Sequence, residues 1–230
     1  LFMESSRDTS SPRPGAGSPP ETRWLGRMSY QDALAAQERA VAALADGSGP
    51  EVVFLLEHEP VYTIGRTRDH SSLGTPAFLP HPVVETNRGG QATYHGPGQL
   101  VGYPILDLST RGRDLHQYLR SIEEGLILLC RRFGIGAGRA EGLTGVWVGE
   151  RKIASIGVGV RRWITMHGFA INVGPDLSGF SAITPCGIAG VRMTSLSLES
   201  GGEIPLESAR DAASEIFADI FSRRVVESLL

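Results

Sequence analysis

The sequence predicts an α+β fold, a mixed or antiparallel sheet flanked by helices within one domain. Three observations point there. Residues 115–133 and 209–221 repeat apolar side chains at helical spacing, whereas Val52–Leu56 and Leu100–Ile105 are short runs of strand length. Val146–Val148 and Lys152–Val160 are separated only by Gly149-Glu150-Arg151, the spacing of a hairpin, and hairpins argue against a doubly wound parallel sheet.

Residues 1–23 are rich in Ser, Pro, Gly, Arg and Thr without apolar periodicity, so a disordered tail is expected, with the folded domain spanning 24–230. Order is expected from Trp24. Ser29 with Asp32 three residues on reads as a helix start, carried through Leu34, Val41 and Leu44 and closed by Gly47-Ser48-Gly49-Pro50. Val52–Leu56 and Val61–Ile64 follow as strands, and 66–82 reads as a long loop. Val83–Thr86 leads into a glycine-rich segment and Leu100–Ile105 leads out of it. Asp114 starts the clearest helix, with Leu115, Tyr118, Leu119, Ile122, Leu126, Leu129, Cys130 and Phe133 on one stripe and Gly134 at its end. After the hairpin comes a strand over Met166–Val173, then a Gly/Pro loop over 180–190, then a helix starting soon after Pro205. Glycines along the 152–173 hairpin fit two readings, a sheet face left bare for a ligand or a closely packed, bulged sheet.

At 230 residues, 41% apolar and 20% charged, the chain suits a soluble globular protein, and no apolar run reaches the roughly 20 residues of a membrane helix. The formal charge of −3 gives no global case for nucleic acid. A local basic patch is conceivable from Arg66, Arg68, Arg88, Arg151, Arg161, Arg162 and Arg192. Two distant cysteines form no disulfide framework and no Cys/His cluster has zinc spacing, so a cytoplasmic protein without a structural metal is expected. Phosphate-loop and dinucleotide glycine fingerprints are absent from the sequence.

The chemistry gathers at three places. Arg88-Gly89-Gly90-Gln91-Ala92-Thr93-Tyr94-His95-Gly96-Pro97-Gly98-Gln99 packs four glycines and several polar side chains between two strands, a composition for recognition more than for packing. Cys130 lies on an apolar helical stripe and reads as a buried, inert thiol. Cys186, between Pro185 and Gly187 in a loop, is instead the candidate nucleophile. An ordinary thiol is only a few per cent thiolate at neutral pH and needs a positive neighbour. Holding half of such a thiol as thiolate at pH 7 takes about 2 kcal/mol. An ammonium about 4 Å away offers up to about 4 kcal/mol at an effective dielectric of ~20. Of the 22 Lys and Arg residues only Lys152 is a lysine, and a proton donor is a role arginine cannot fill.

The run from Arg88 to Pro104, with Lys152-Ile153-Ala154-Ser155-Ile156-Gly157, His167-Gly168-Phe169-Ala170-Ile171-Asn172 and Pro185-Cys186-Gly187, closely resembles the lipoyl(octanoyl) transferases. The resemblance runs from about Leu25 to the last helix, without departure at the matching positions. It implies a biotin/lipoate protein ligase-like α+β fold and an acyltransferase with Cys186 as acyl-thioester nucleophile and Lys152 as its activator. Substrate-binding segments would be Arg88, Gly89, Gly90, Gln91, Ala92, Thr93, Tyr94 and His95; Ser155, Ile156 and Gly157; and Gly168, Phe169 and Ala170. Octanoyl-acyl carrier protein would be the donor. Lysines of lipoyl domains, in 2-oxoacid dehydrogenase E2 subunits and glycine cleavage H protein, would be the acceptors, with no cofactor, nucleic acid or membrane involved. Either Lys152 or His95 could take the proton of the acceptor lysine, and His167 reads as structural. Two other readings share some of these features: an ATP-dependent lipoate or biotin protein ligase, and an acyl-carrier binding module with a structural cysteine.

Overall fold

The computed structural model describes residues 19–68, 70–73, 79–188 and 190–222. The expected tail lies outside these residues as far as position 18. Its last part does not match the expectation: β1 (Glu21–Met28) begins three residues before Trp24 and runs parallel to β2 (Val52–His58). β1 is an edge strand whose residues are exposed or half-buried, and Arg23 donates to its neighbour Glu21. Such a strand is held by its ladder and needs no apolar period.

Between β1 and β2 runs α1 (Tyr30–Asp46). Ser29 Oγ accepts from the Asp32 backbone N–H at its start, and Gly47 at φ 79° takes the left-handed conformation that closes it. β3 (Val61–Ile64) is the centre of a small sheet between β4 (Val83–Glu85), parallel to it, and β5 (Thr93–His95), antiparallel. The glycine-rich segment thus carries a strand of its own, which its composition hid.

β6 (Gln99–Ile105) returns the chain to the large sheet, and α2 (Leu115–Arg132) follows with Asp114 accepting from the Gln117 N–H. β7 (Gly138–Ala140), β8 (Leu143–Val148), β9 (Arg151–Arg161) and β10 (Ile164–Asn172) then form an antiparallel meander. Finally come β11 (Arg192–Met193), α3 (Leu196–Ser200) and α4 (Leu206–Ser222). The large sheet has the order β1-β2-β6-β10-β9-β8-β7. β10 pairs with β9 only as far as Ala154, and beyond that point β11 lies parallel to Arg151 and Lys152. Lys152 therefore starts its strand flanked by β8 and β11.

Both sheet faces are covered. α1 packs on the face of Val52, Phe54, Leu56, Val101, Tyr103 and Ile105. α2 and α4 pack on the face of Val53, Leu55, Leu100, Phe169 and Ile171. Every residue of β2 is buried, the physical reason it reads as an uninterrupted apolar run. The small sheet has its own apolar cluster of Tyr62, Ile64, Leu73, Ala92, Phe180 and Ile183.

α2 approaches α4 at Gly125, where an added Cβ would lie 2.5 Å from the Phe217 ring. That ring stacks on Phe169 at 4.5 Å, so it cannot swing away freely. Alanine would gain about 1 kcal/mol of helix propensity, but overpacking a rigid core costs about 1–3 kcal/mol. Gly125→Ala is expected to lower the urea midpoint of unfolding; a raised midpoint would show that Phe217 yields.

Candidate active site

Lys152 and Cys186 meet although 34 residues separate them: Nζ donates to Sγ at 3.1 Å. The lysine is 2% exposed, and no acidic side chain forms an ion pair with it among the described residues. Its ammonium lies 5.2 Å from the centre of the Trp147 ring, a cation–π contact. Gly145, at φ 116°, makes room for it, since a Cβ there would stand 2.8 Å from Lys152 Cε. Ser155 Oγ is 3.9 Å from Sγ on another side.

Cys186 sits in a 3₁₀ turn over Pro185–Gly187 at φ 57°, ψ 15°, the left-handed region that non-glycine residues seldom occupy. Its neighbours hold it there. The Cys186 N–H donates to Ala92 O at 2.9 Å, the Thr184 N–H donates to Ser72 O at 2.8 Å, and the Gln91 side chain occupies the space beside Gly187. Such strain persists only where surrounding contacts over-determine it.

Arg88 organises the loop that supplies those contacts. Its guanidinium donates to Thr63 O, Thr63 Oγ1, Gly89 O and Gln91 O at 2.7–3.0 Å. It forms no ion pair with an acidic side chain among the described residues, and burial pulls its pKa below the ordinary value. The Gly89 N–H donates to Val158 O at 2.9 Å, tying the loop to β9.

A cavity of about 40 Å³ lies between this loop, β9 and β10, with Cys186 in its wall. Of the residues expected to bind substrate, Arg88, Gly90, Gln91, Thr93, His95, Ser155, Ile156, Gly157, Gly168, Phe169 and Ala170 line it. Gly89, Ala92 and Tyr94 do not. Gly89 anchors the loop, Ala92 is buried in the small core, and Tyr94 points to the opposite face of β5 against Phe180 and Tyr62. Alternation along a strand explains this, because Thr93 and His95 must face one way and Tyr94 the other. Tyr30, Tyr103 and His167 complete the lining, and none of them was expected there. Tyr30 arrives by the docking of α1, which no local sequence signal reveals.

The hairpin glycines follow the second of their two readings. A Cβ at Gly168 would meet Gly102 O at 2.2 Å, one at Gly102 would meet the Phe169 ring at 2.1 Å, and one at Gly157 would meet Gly89 O at 2.9 Å. They permit close approach of neighbouring segments rather than leaving a face bare. The basic patch also disperses. Arg88 is buried, and Arg68, Arg151 and Arg192 pair with Glu85, Glu199 and Glu150. Arg66, Arg161 and Arg162 remain exposed.

In and behind the cavity wall, three histidines and two tyrosines form a buried polar layer. His95 Nδ1 donates to Gln99 Oε1 at 2.7 Å and its Nε2 accepts from Thr63 Oγ1 at 3.3 Å. His58 Nε2 accepts from Tyr103 OH at 2.7 Å. His167 Nε2 donates to Asn87 Oδ1 at 2.5 Å and its backbone N–H donates to Gln37 Oε1. Burial lowers the pKa of His58 and of His167 to about 4, and pulls His95 well below its ordinary value. All three are neutral at pH 7. Cys130, buried on α2, has its thiol pushed up to about 12 by burial and is inert, as its periodicity implies. Among the described residues no group of three or more His, Cys, Asp or Glu side chains could hold a metal, and no helix is long and apolar enough to cross a membrane.

The family model of the lipoyl protein ligase A/B catalytic domain matches residues 29–218. The octanoyltransferase of Geobacter metallireducens is 50% identical over 203 residues, 88% of this chain and 94% of that one. The octanoyltransferase of Geobacter sulfurreducens is 53% identical over 196 residues, 85% and 82% of the two chains. Among solved structures, a putative lipoate protein ligase from T. acidophilum with bound lipoic acid has a TM-score of 0.71 at 16% identity, covering 88% of this chain and 86% of that one. A lipoate-protein ligase A bound with ATP has a TM-score of 0.71 at 16% identity, covering 88% and 85%. At that identity the likeness is one of fold, a lipoate protein ligase-like α+β architecture.

The neutral histidines make stability depend on pH. Below pH 6.5 the unfolded chain binds protons that folded His58 and His167 refuse until about pH 4. Stability is therefore expected to be flat above pH 6.5 and to fall as pH drops towards 4, by up to about 1.4 kcal/mol per pH unit per histidine. Urea midpoints between pH 4.5 and 7.5 measure this, and His58→Gln should make the slope shallower; an unchanged slope would mean His58 is not the group responsible.

Proposed function

The chain belongs to the lipoyl protein ligase A/B catalytic-domain family, among its octanoyltransferases, and on that premise we propose that Cys186 carries the octanoyl group as a thioester while Lys152 moves the protons. The observation that carries this reading is the 3.1 Å contact between Nζ and Sγ, the one hydrogen bond of that Nζ among the described residues. The donor is an octanoyl thioester of acyl carrier protein and the acceptor a lysine of a lipoyl domain, in 2-oxoacid dehydrogenase E2 subunits and glycine cleavage H protein.

In the first half-reaction the Cys186 thiolate adds to the thioester carbonyl. The tetrahedral adduct collapses, breaking the bond to the carrier sulfur, which leaves with a proton from Lys152. The second half-reaction runs the same groups in reverse. The acceptor lysine, entering as free amine, adds to the acyl-cysteine; Cys186 departs as thiolate, and Lys152, now a neutral amine, takes the proton released as the amide forms. His95 is the poorer base of the two, because both of its ring nitrogens are engaged, with Gln99 and Thr63, and its burial opposes a charged ring. A thioester is already activated, so neither half-reaction calls for ATP.

Arg88, Gly90, Gln91 and residues 155–157 line the cavity side by side and suit the role of holding the acyl thioester. Arg161 and Arg162 stand exposed at the turn between β9 and β10, the two strands that line the cavity, beside the 38% exposed Trp163. An acidic carrier would meet them as it delivers its thioester. Replacing both by Glu is expected to weaken donor binding at low salt and to flatten its salt dependence, read from Kd at several ionic strengths; an affinity unchanged at low salt would remove the pair from the docking surface.

Intact mass after mixing with the octanoyl carrier is the direct test of the covalent step. An octanoyl adduct is expected on the native chain and none on Cys186→Ala. Full transfer by Cys186→Ala with ATP required would point to a ligase, and stable carrier binding without an adduct would point to a binding module. Lys152→Arg is expected to lower kcat by about 10²–10⁴, since a guanidinium gives up no proton and finds no room between Gly145 and Trp147. Near-normal turnover would leave Lys152 without a proton-transfer role.

A further inference from the structure

The oxyanion that forms when Sγ adds to a thioester needs hydrogen-bond donors, and the turn carrying the nucleophile has none to spare. The Cys186 N–H donates to Ala92 O at 2.9 Å, the Gly187 N–H to Thr184 O at 3.0 Å and the Ile188 N–H to Pro185 O at 3.1 Å. A donor is to be sought among the other residues that line the cavity.

Thr93 is one of them. It is 6% exposed, lines the cavity with Cys186, and follows directly on Ala92, whose carbonyl holds the Cys186 N–H. Its side chain points to the cavity side of β5, as His95 does, while Tyr94 points away. Its Oγ1 is buried without a hydrogen-bond partner among the described residues. The other unpartnered buried side-chain atoms belong to Thr22, Gln37, Tyr118 and Trp147, none of which lines this cavity. A buried hydroxyl without a partner destabilises a fold, and one kept beside a nucleophile fits a partner that arrives with the substrate.

We propose that Thr93 is a catalytic residue whose Oγ1–H donates to the thioester carbonyl oxygen as Cys186 Sγ attacks, and again as the acceptor amine attacks the acyl-enzyme. This rests on the acyl-cysteine reading above. The hydroxyl keeps its own proton throughout: the C–S bond to the carrier breaks as the C–S bond to Cys186 forms, and the proton that leaves with the carrier sulfur comes from Lys152. An oxygen that gains charge only during reaction is bound more tightly in the transition state than in the ground state, so the effect falls on the rate of acylation.

Thr93→Val keeps the shape and removes the donor, and Thr93→Ser restores a donor. Single-turnover acylation by octanoyl carrier, followed by intact mass, is expected to slow about 100-fold or more in Thr93→Val, with donor Kd unchanged. Thr93→Ser should recover most of the rate. The pH profile of Cys186 alkylation by iodoacetamide should stay as in the native chain, and the urea midpoint should equal or exceed the native one, because Val removes an unpaired polar atom. Acylation of Thr93→Val within threefold of native, an equal loss in Thr93→Ser, or a weakened Kd with the rate preserved would each overturn the proposal. Failure of the native chain to form any adduct would instead overturn the acyl-cysteine reading, and the role of Thr93 with it.

Discussion

A lysine ammonium buried among neutral groups is costly, and most of the site's architecture follows from placing one beside a single sulfur. Lys152 is 2% exposed, pairs with no acidic side chain among the described residues, and donates to Cys186 Sγ at 3.1 Å. Desolvating a cation is tolerable only with compensating charge or polarisable contacts. The sulfur accepts the hydrogen bond of the lysine, and the Trp147 ring, 5.2 Å away, offers a polarisable face. Separating the pair would take from the buried lysine the one side-chain acceptor it has among the described residues.

That constraint explains details which in isolation look arbitrary. β11 is only two residues long, yet it covers the edge of Arg151 and Lys152 that β10 has left, and the Thr194 N–H donates to Lys152 O just beyond it. β11 also follows the Cys186 turn within a few residues, so one short strand fixes the lysine backbone and anchors the segment bearing the cysteine. On the other flank β8 must have no side chain at Gly145, because a Cβ there would stand 2.8 Å from Cε of the lysine. The left-handed conformation of Cys186 is kept by Ala92, Gln91 and Ser72, all from the small sheet or its approaches. The Lys152–Cys186 contact thus lies where the large sheet and the small one are joined.

How much of this was legible in the sequence depended on whether the deciding contact was local. α1 and α2 begin and end where Ser29, Asp114 and Gly47 say, because caps are satisfied within one turn. The β8–β9 hairpin and the buried β2 were readable from turn spacing and an apolar run. β1, β5, β7 and β11 were not, since each is short or polar and exists through the strand beside it. The same division runs through the site. Cys186 and Lys152 stood out by composition and by family likeness, and Thr93 and His95 came with their motif. Tyr30, Tyr103 and His167 arrive in the cavity through packing of α1 and the register of β6 against β10. The glycines misled in part, because sequence shows a missing side chain but not what fills the space; here Phe169, Gly89 and Gly102 fill it.

The charge state of the cavity follows from combining these parts. Of two buried basic residues, Arg88 lines it and Lys152 stands behind Cys186, and neither pairs with an acidic side chain among the described residues. Three histidines in and behind its wall are kept neutral by burial, two of them with pKa lowered to about 4, so they add no positive charge that would repel the ammonium. The result is a small site of about 40 Å³ with buried basic groups beside it and neutral hydrogen bonds among its histidines. Its field favours anions in general, and the thiolate and oxyanion of the proposed acyl transfer are anions of that kind. Of the surface arginines, Arg68, Arg151 and Arg192 contribute little to that field, since they are already paired with glutamates in solvent. A chain with a net charge of −3 can therefore hold a strongly electropositive reaction centre, because the sign of the centre is set by which few charges are buried.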